Sequence, residues 1–245
     1  MNIIFLAAGK GSRFHNKTLV NKCLLKIENK PLIKILIDEV RKTKIRNINI
    51  VTGYRSNYLK KKLEDYKNIN FIFNNMYNKR EMTYSLITGL KKVKDDAIIS
   101  YSDILYDSRI ISKIIKNKKK EIILPVLKNW KKIWDIRGKP AKLDGETMVI
   151  KKNVLFEIGN KIKKINAVKY QFMGIIFIPK QKIEIIINIY ENLKNKKKLH
   201  LTNFLNILIK KKIIINTLKV SNGWYEFDDY EDYNNYLKNK NFINL

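Results

Sequence analysis

Short apolar runs alternating with amphipathic helical stretches predict an α/β fold: a Rossmann-like, mostly parallel sheet sandwiched by helices, with one small insertion. Three observations carry this. The chain opens on an apolar run over residues 3–8 that breaks into Gly9, Lys10, Gly11, Ser12 and Arg13, the mark of a buried parallel strand feeding a tight turn. Strand and helix patterns then alternate as far as residue 127, as parallel strands joined by right-handed helical crossovers require. A hydrophobic content of 45% over 245 residues supplies a core for one such domain spanning 1–245.

The elements follow in order. Residues 31–42 place Leu32, Ile33, Ile35, Leu36, Ile37 and Val40 in a helical pattern behind Pro31, a residue suited to a first turn. Residues 47–52 read as a strand, 56–66 as a helix with Leu59, Leu63 and Tyr66 on one face, and 70–74 as a short strand. A helix at 83–93, a strand at 97–101, a helix at 108–116 and a strand at 121–127 continue the alternation. After Trp130 the rhythm changes, and the insertion is placed at about 128–172, with a strand at 142–152 and a looser basic segment at 160–169. Beyond it come a strand at 174–179, helices at 180–193 and 201–211, a strand at 213–220 and a last helix at 229–239.

Composition excludes several classes. The single cysteine, Cys23, allows no internal disulfide and no thiolate zinc site. The apolar stretches are interrupted well before the ~20 residues that span a bilayer, and no charged-then-apolar leader precedes the glycine turn; a soluble, cytoplasmic protein with no membrane partner is expected. The 51 Lys and Arg against 22 Asp and Glu give a net charge of +29, which taken alone suggests nucleic acid. The excess is mostly lysine, spread along the chain as in Lys60-Lys61-Lys62 and Lys210-Lys211-Lys212, and abundant Lys, Asn and Ile are what an AT-rich genome produces. No recognition helix, stacking-aromatic strand or zinc-finger spacing is visible. A nucleic-acid partner is therefore not expected, although a binding module of that class stays open as an alternative.

Gly9 and Gly11 let the backbone approach a ligand closely, so that successive N–H groups can point at phosphate oxygens, and Lys10 and Arg13 add positive charge there. A dinucleotide fingerprint needs a third glycine where Phe14 stands, and no Gly-Lys-Ser/Thr follows to make a Walker loop. An ordinary strand–turn–helix with solvated lysines is the plain alternative. The segment resembles the G-x-G-(S/T)-R signature of nucleotidyltransferases, which activate a phosphorylated small molecule with a nucleoside triphosphate. That signature runs on to a lysine within Pro-Lys-x-Leu; here Asn21-Lys22-Cys23-Leu24 occupies the place, with asparagine for proline.

Asp103 follows the strand at 97–101, where a carboxylate can hold a hard cation, since Mg2+ takes one or two carboxylates plus substrate phosphates. Its other reading, a cap for the helix at 108–116, suits Asp107 better. The run Trp224-Tyr225-Glu226-Phe227-Asp228-Asp229-Tyr230-Glu231-Asp232 is dense in acid within a basic chain, and such density calls for a cation or basic neighbours. A helix N-terminus accounts for Asp229, Glu231 and Asp232, leaving Asp228 for the metal.

Several motifs in order make the resemblance more specific. The run from Trp224 to Asp229 is similar to the closing W-x-E-I-D-(T/D) motif of the phosphocholine cytidylyltransferase-like proteins, whose aspartate binds Mg2+ together with one matching Asp103. Asn75-Met-Tyr-Asn-Lys-Arg-Glu-Met-Thr-Tyr-Ser85-Leu86 resembles their base-lining stretch. Leu143-Asp144-Gly-Glu146-Thr147 resembles their acidic acceptor-side motif, and Tyr170-Gln-Phe-Met173-Gly174 their Y-M-G turn. Ser102 stands where a glycine is common, and His200 where the family often has an acid.

The resemblance implies a Mg2+-dependent cytidylyltransferase acting in surface decoration, such as cell-surface polysaccharide biosynthesis, or in phosphonate metabolism. It transfers CMP from CTP to a phosphorylated small molecule of phosphocholine, phosphonate or phospho-amino-acid type and releases pyrophosphate; a homodimer is compatible with it. Leu6, Ala7, Ala8, Gly9, Lys10, Gly11, Ser12 and Arg13 would hold the triphosphate, Thr83, Tyr84 and Ser85 the base, Lys22 and Arg13 the reacting phosphates, and Asp103 and Asp228 the metal. Asp144, Glu146, Tyr170, Gly174 and Glu226 would face the acceptor, with the insertion on that side, and a carboxylate pair suits an ammonium group. Trp130 and Trp134 could offer aromatic faces to such a cation or pack the insertion. A sugar-1-phosphate nucleotidyltransferase using UTP, dTTP or GTP is the runner-up, which the acid pair disfavours because a neutral sugar has no charge to meet it.

Overall fold

The chain's first strand sets the layers. In the computed structural model, which describes residues 1–15 and 21–240 without the side chains of Arg13 and His15, all six residues of β1 (Asn2–Ala7) are buried. Alternation sends Ile3, Phe5 and Ala7 into one hydrophobic cluster and Ile4, Leu6 and the following Ala8 into another. A strand whose two faces enter different cores must be covered on both sides, which is why it reads as a continuous apolar run.

After β1 come a helical turn α1 (Ser12–His15), the strand pair β2 (Lys26–Ile27) and β3 (Lys30–Pro31), then α2 (Leu32–Arg41), β4 (Asn47–Thr52), α3 (Ser56–Lys62) and β5 (Ile69–Phe73). Next are α4 (Met82–Leu90), β6 (Ala97–Tyr101), β7 (Ile104–Tyr106), α5 (Ser108–Asn117) and β8 (Ile122–Leu127). The chain continues through α6 (Trp130–Arg137), α7 (Ala141–Asp144), β9 (Glu146–Lys151), β10 (Val154–Lys161), β11 (Gln171–Phe172) and β12 (Ile175–Ile178). Then follow α8 (Lys180–Glu191), α9 (Leu201–Lys210), β13 (Ile215–Val220), β14 (Trp224–Glu226) and α10 (Tyr230–Asn239).

The main sheet runs β5-β4-β1-β6-β12-β8-β13-β10-β9, with β11 pairing β8 off this path. β5, β4, β1 and β6 are mutually parallel, as are β8 and β13, whereas β12 lies antiparallel to both its neighbours and β9–β10 form an antiparallel hairpin. The sheet is thus mixed and largely parallel. Because β12 enters from the carboxyl end of β6, pairing Ile175 with Ser100, the segment just before it crosses the edge where an α/β sheet places its ligands.

Local chemistry explains the helix boundaries. α2 buries Leu32, Ile33, Leu36, Ile37 and Val40 on one face. Asp107 caps α5, its carboxylate accepting from the Arg109 N–H at 2.6 Å. Asp229 caps α10, and Asp232 answers it in a reciprocal capping box. The insertion differs most from expectation. α6 was not anticipated, Ala141–Asp144 is a helical turn where a strand was expected, and β10 takes up part of the segment read as loose. Phe156 is exposed and Gly159 adopts φ +89°, so the alternation that signals a strand is blurred there. The β9–β10 hairpin extends the main sheet rather than standing apart from it.

Candidate active site

The glycine turn and Lys22 are built against each other. Gly11 has φ +62°, and a Cβ added to it would come within 2.9 Å of the Lys22 Cβ. Gly9 has nothing within 4 Å of such a Cβ, so the space beside it is open to a ligand. Leu6, Ala7, Gly9, Gly11 and Ser12 line one side of a cavity of about 320 Å³. Ser102 donates to the Leu6 carbonyl at 2.7 Å, tying the ends of β6 and β1 together. Asn21, in the proline position, adopts φ −57°, an angle proline itself would take, and donates to the Tyr54 carbonyl at 2.6 Å.

Two distant aspartates meet through a small ribbon. β7 and β14 pair antiparallel, with Glu226 opposite Ile104, and the Phe227 N–H donates to the Asp103 carbonyl at 2.9 Å. Asp103 immediately precedes β7 and Asp228 closely follows β14, so this pairing sets them side by side. The Lys22 ammonium lies between them, 2.8 Å from Asp103 Oδ2 and 3.2 Å from Asp228 Oδ1. Burial pulls the Lys22 pKa down, but Asp103, Asp228 and Glu226 outweigh it and hold the ammonium above its ordinary value.

A second cavity, of about 420 Å³, shares Glu81, Met82, Asp103 and Asp228 with the first and adds Asp144, Glu146, Glu226 and Trp134. Its floor is organised by Arg137, which the sequence reading did not single out. This fully buried guanidinium donates from Nε and Nη2 to Asp232 at 3.0 and 3.2 Å and from Nη1 to Glu226 at 3.2 Å. Asp144 and Asp228 lie 3.5 and 3.7 Å from it. Asp232 in turn accepts from the backbone N–H of Asp228 at 2.7 Å, so Arg137 holds the acidic loop through its backbone as well as its side chains. Burial, with Asp228 beside it, pushes the Glu226 carboxyl up to about 8 despite Arg137. Burial likewise holds Glu146 above the usual carboxylate range. No sequence signal marks one arginine among so many basic residues; only its burial does.

Other expected site residues lie elsewhere or are otherwise engaged. Thr83 is buried and gives its hydroxyl to the Leu199 carbonyl at 2.6 Å; Ser85 is buried and accepts from Asn74 at 2.9 Å; Tyr84 packs against Tyr190. The cavity-lining residues at the start of α4 are instead Glu81 and Met82. Ala8 offers its carbonyl to the Tyr54 N–H, and Lys10 is exposed outside both cavities. The Arg13 side chain lies outside what the structure describes. Tyr170 lines a separate basic groove with Trp130 and Lys169, while its neighbours Gln171 and Phe172, with Gly174, line the acidic cavity. Trp130 is a packing residue, buried with its indole N–H on the Val168 carbonyl at 3.2 Å. Trp134 does line the acidic cavity but is buried, stacked on Trp224 at 6.2 Å with the Arg137 guanidinium 4.7 Å from its ring centre. His200 stands at the rim, its Nδ1 3.5 Å from Glu81 Oε2.

The donor set suits a hard cation. Asp103 Oδ1 is buried with no hydrogen-bond partner among the described residues, an expense that a cation would relieve. Among the described residues no group of three or more His, Cys, Asp or Glu is arranged to hold a metal by itself. Two carboxylates completed by water and substrate phosphate is the ligand pattern of Mg2+.

A glycine turn at the end of the first parallel strand, with a lysine and two converging aspartates beside it, defines a nucleotidyltransferase. The chain belongs to the family of the MobA-like NTP transferase domain, which matches residues 3–156. It is 32% identical to a CTP:phosphoglutamine cytidylyltransferase of Campylobacter jejuni over 95% of this chain and 97% of that protein. It is also 32% identical to a choline-phosphate cytidylyltransferase of Haemophilus influenzae over 59% of this chain and 62% of that one. Among solved structures, the inositol-1-phosphate CTP transferase of T. maritima superposes with a TM-score of 0.78 over 100% of this chain and 98% of that chain, at 19% identity, a likeness of fold. Among the described residues no helix is long and apolar enough to cross a membrane.

Proposed function

We propose that this enzyme transfers CMP from CTP to a phosphorylated small molecule that carries a positive charge, and that it does so with Mg2+ in the cytoplasm. The observation that carries this is the meeting of Lys22 with Asp103 and Asp228 where the two cavities join. The names of the two relatives that use CTP or choline phosphate support the choice of nucleotide and acceptor class.

An oxygen of the acceptor phosphate attacks the α-phosphorus of CTP; the bond from that phosphorus to the bridging oxygen of the β-phosphate breaks, and pyrophosphate leaves with the electron pair. Both reactants are anions, so positioning and neutralisation do most of the work. Backbone N–H groups at Gly9 and Gly11, with Ser12 and Arg13, cradle the triphosphate. The Lys22 ammonium neutralises the reacting phosphates, and the base lies against the start of α4. Asp103 and Asp228 would hold Mg2+, which when bound would supply Lewis-acid stabilisation of the charge that develops. Asp144, Glu146 and Glu226 meet the acceptor's cation. The CDP-linked product suits transfer to cell-surface polysaccharide or use in phosphonate metabolism.

Pyrophosphate release, measured for each of four nucleoside triphosphates against phosphorylated amines and sugar 1-phosphates, tests this. CTP with a phosphorylated amine should alone support turnover; equal use of UTP with a sugar 1-phosphate would replace the proposal with sugar activation.

A further inference from the structure

The acidic cavity constrains the form of the acceptor's cation as well as its sign. Resting on the function proposed above, we infer that the acceptor presents a primary ammonium, and that Asp144, Glu146 and Glu226 select it over a quaternary ammonium by accepting its N–H groups.

Proteins hold organic cations in two ways. A quaternary ammonium, which has no donor, is held by aromatic faces that replace its water; a primary ammonium is held by oxygen acceptors arranged around its three N–H groups. The aromatic faces here are largely spent on the protein. Trp134 stacks on Trp224 with the planes 14° apart and carries Arg137, the protein's own cation, over its ring. Tyr101 meets Phe172 edge-on at 5.7 Å, and it lies so close to Gly174 that a Cβ there would come within 2.8 Å of the ring. Trp130 lies outside this cavity.

Oxygen acceptors, in contrast, are in excess. Lys22 and Arg137 are two cations set among six carboxylates, Asp103, Asp144, Glu146, Glu226, Asp228 and Asp232, with Lys139, bound chiefly to Asp229, reaching only Asp232 at 4.0 Å. With Glu226 mostly protonated below its raised pKa of about 8, one divalent ion still leaves about one negative charge for the acceptor to meet. Arg137 commits Nε and Nη2 to Asp232, gives Nη1 to one oxygen of Glu226 at 3.2 Å and reaches Asp144 at only 3.5 Å, so Asp144, Glu146 and the other oxygen of Glu226 keep lone pairs for a ligand. Trimethylation would strip water from these oxygens and return no hydrogen bond.

The test is a methylation series on one probe: 2-aminoethyl phosphate and its N-methyl, N,N-dimethyl and N,N,N-trimethyl derivatives. Each is assayed with Mg2+ and CTP for pyrophosphate release, and titrated calorimetrically into the protein with and without CMP. Both kcat/KM and affinity should fall with each methyl group, reaching about 100-fold for the trimethyl compound; Glu146→Gln or Asp144→Asn should flatten the series. A preference for the trimethyl compound, indifference to methylation, or failure of every member to bind overturns the inference. The two readings fail separately: the expected binding order without turnover on CTP overturns the reaction, whereas turnover on CTP with the trimethyl compound favoured overturns only the ammonium assignment. Should either variant not fold, the series on the unaltered protein still decides.

Discussion

Replacing Arg137 with methionine keeps much of the side chain's volume and deletes a fully buried charge. Three N–H···O bonds of 3.0 to 3.2 Å are lost, and Asp232, itself fully buried, keeps its backbone N–H donors but no cation nearer than Lys139 at 4.0 Å. Breaking a buried ion pair from one side costs about 3–5 kcal/mol. For a chain of 245 residues, with an unfolding entropy of roughly 2.1 cal/mol/K per residue, that lowers the thermal midpoint by about 6–10 °C. The sign of the pH dependence follows from the same residues. Burial raises the Asp232 and Glu226 carboxyl pKa values and Arg137 pulls both back, so the variant's carboxyls rise further above their unfolded values. The folded variant then gains relative to the parent by taking up protons. Its deficit is greatest above the pKa of Glu226 near 8 and shrinks on acidification. Adding Asp232→Asn should return part of the loss at neutral pH. Thermal unfolding followed by circular dichroism, at neutral and mildly acidic pH, reads all three. An unchanged midpoint, or a deficit that ignores pH, would refute the account of Arg137 as the counter-charge of this loop.

Asp103→Asn and Asp228→Asn should each cut pyrophosphate release by about 100-fold or more while circular dichroism stays unchanged; near-normal rates would remove them from the chemistry. Gly9→Ala meets no protein atom, so it should leave the melting temperature alone and raise KM for CTP. Gly11→Ala forces a positive φ and crowds Lys22, so it should lower stability by about 1–2 kcal/mol in urea titrations and depress kcat as well. Burial holds the Glu146 carboxyl above the ordinary range. KM for an amine-bearing acceptor should therefore rise as pH falls through that elevated pKa, and Glu146→Gln should lose this dependence.

Much of the fold is legible because its signals are local. The strand ending in the glycine turn, the helix α2 behind Pro31 and the caps at Asp107 and Asp229 each follow from a few neighbouring residues. The insertion resisted reading because α7 is a single turn and β10 carries an exposed Phe156 and a glycine, so neither shows a clean period. In the site, Asp103 and Asp228 stood out by residue type and position, and Lys22 through its resemblance to the lysine of the nucleotidyltransferase signature. Thr83 and Ser85 were expected to face the nucleotide, yet their hydroxyls are bonded within the protein, and Glu81 and Met82 line the cavity in their place. A motif names a segment but not which of its side chains turns outward.

The sequence by itself determined the alternating layers, the glycine turn and the surplus of acid near the C-terminal end, since each is written in adjacent residues. Only the tertiary structure decided that Asp103 and Asp228 share one lysine, because that depends on β14 pairing with β7 about 120 residues away in the chain. It also decided that one arginine among 51 basic residues is buried under four carboxylates. Desolvation makes that charge matter, and desolvation belongs to the packed chain rather than to any stretch of it.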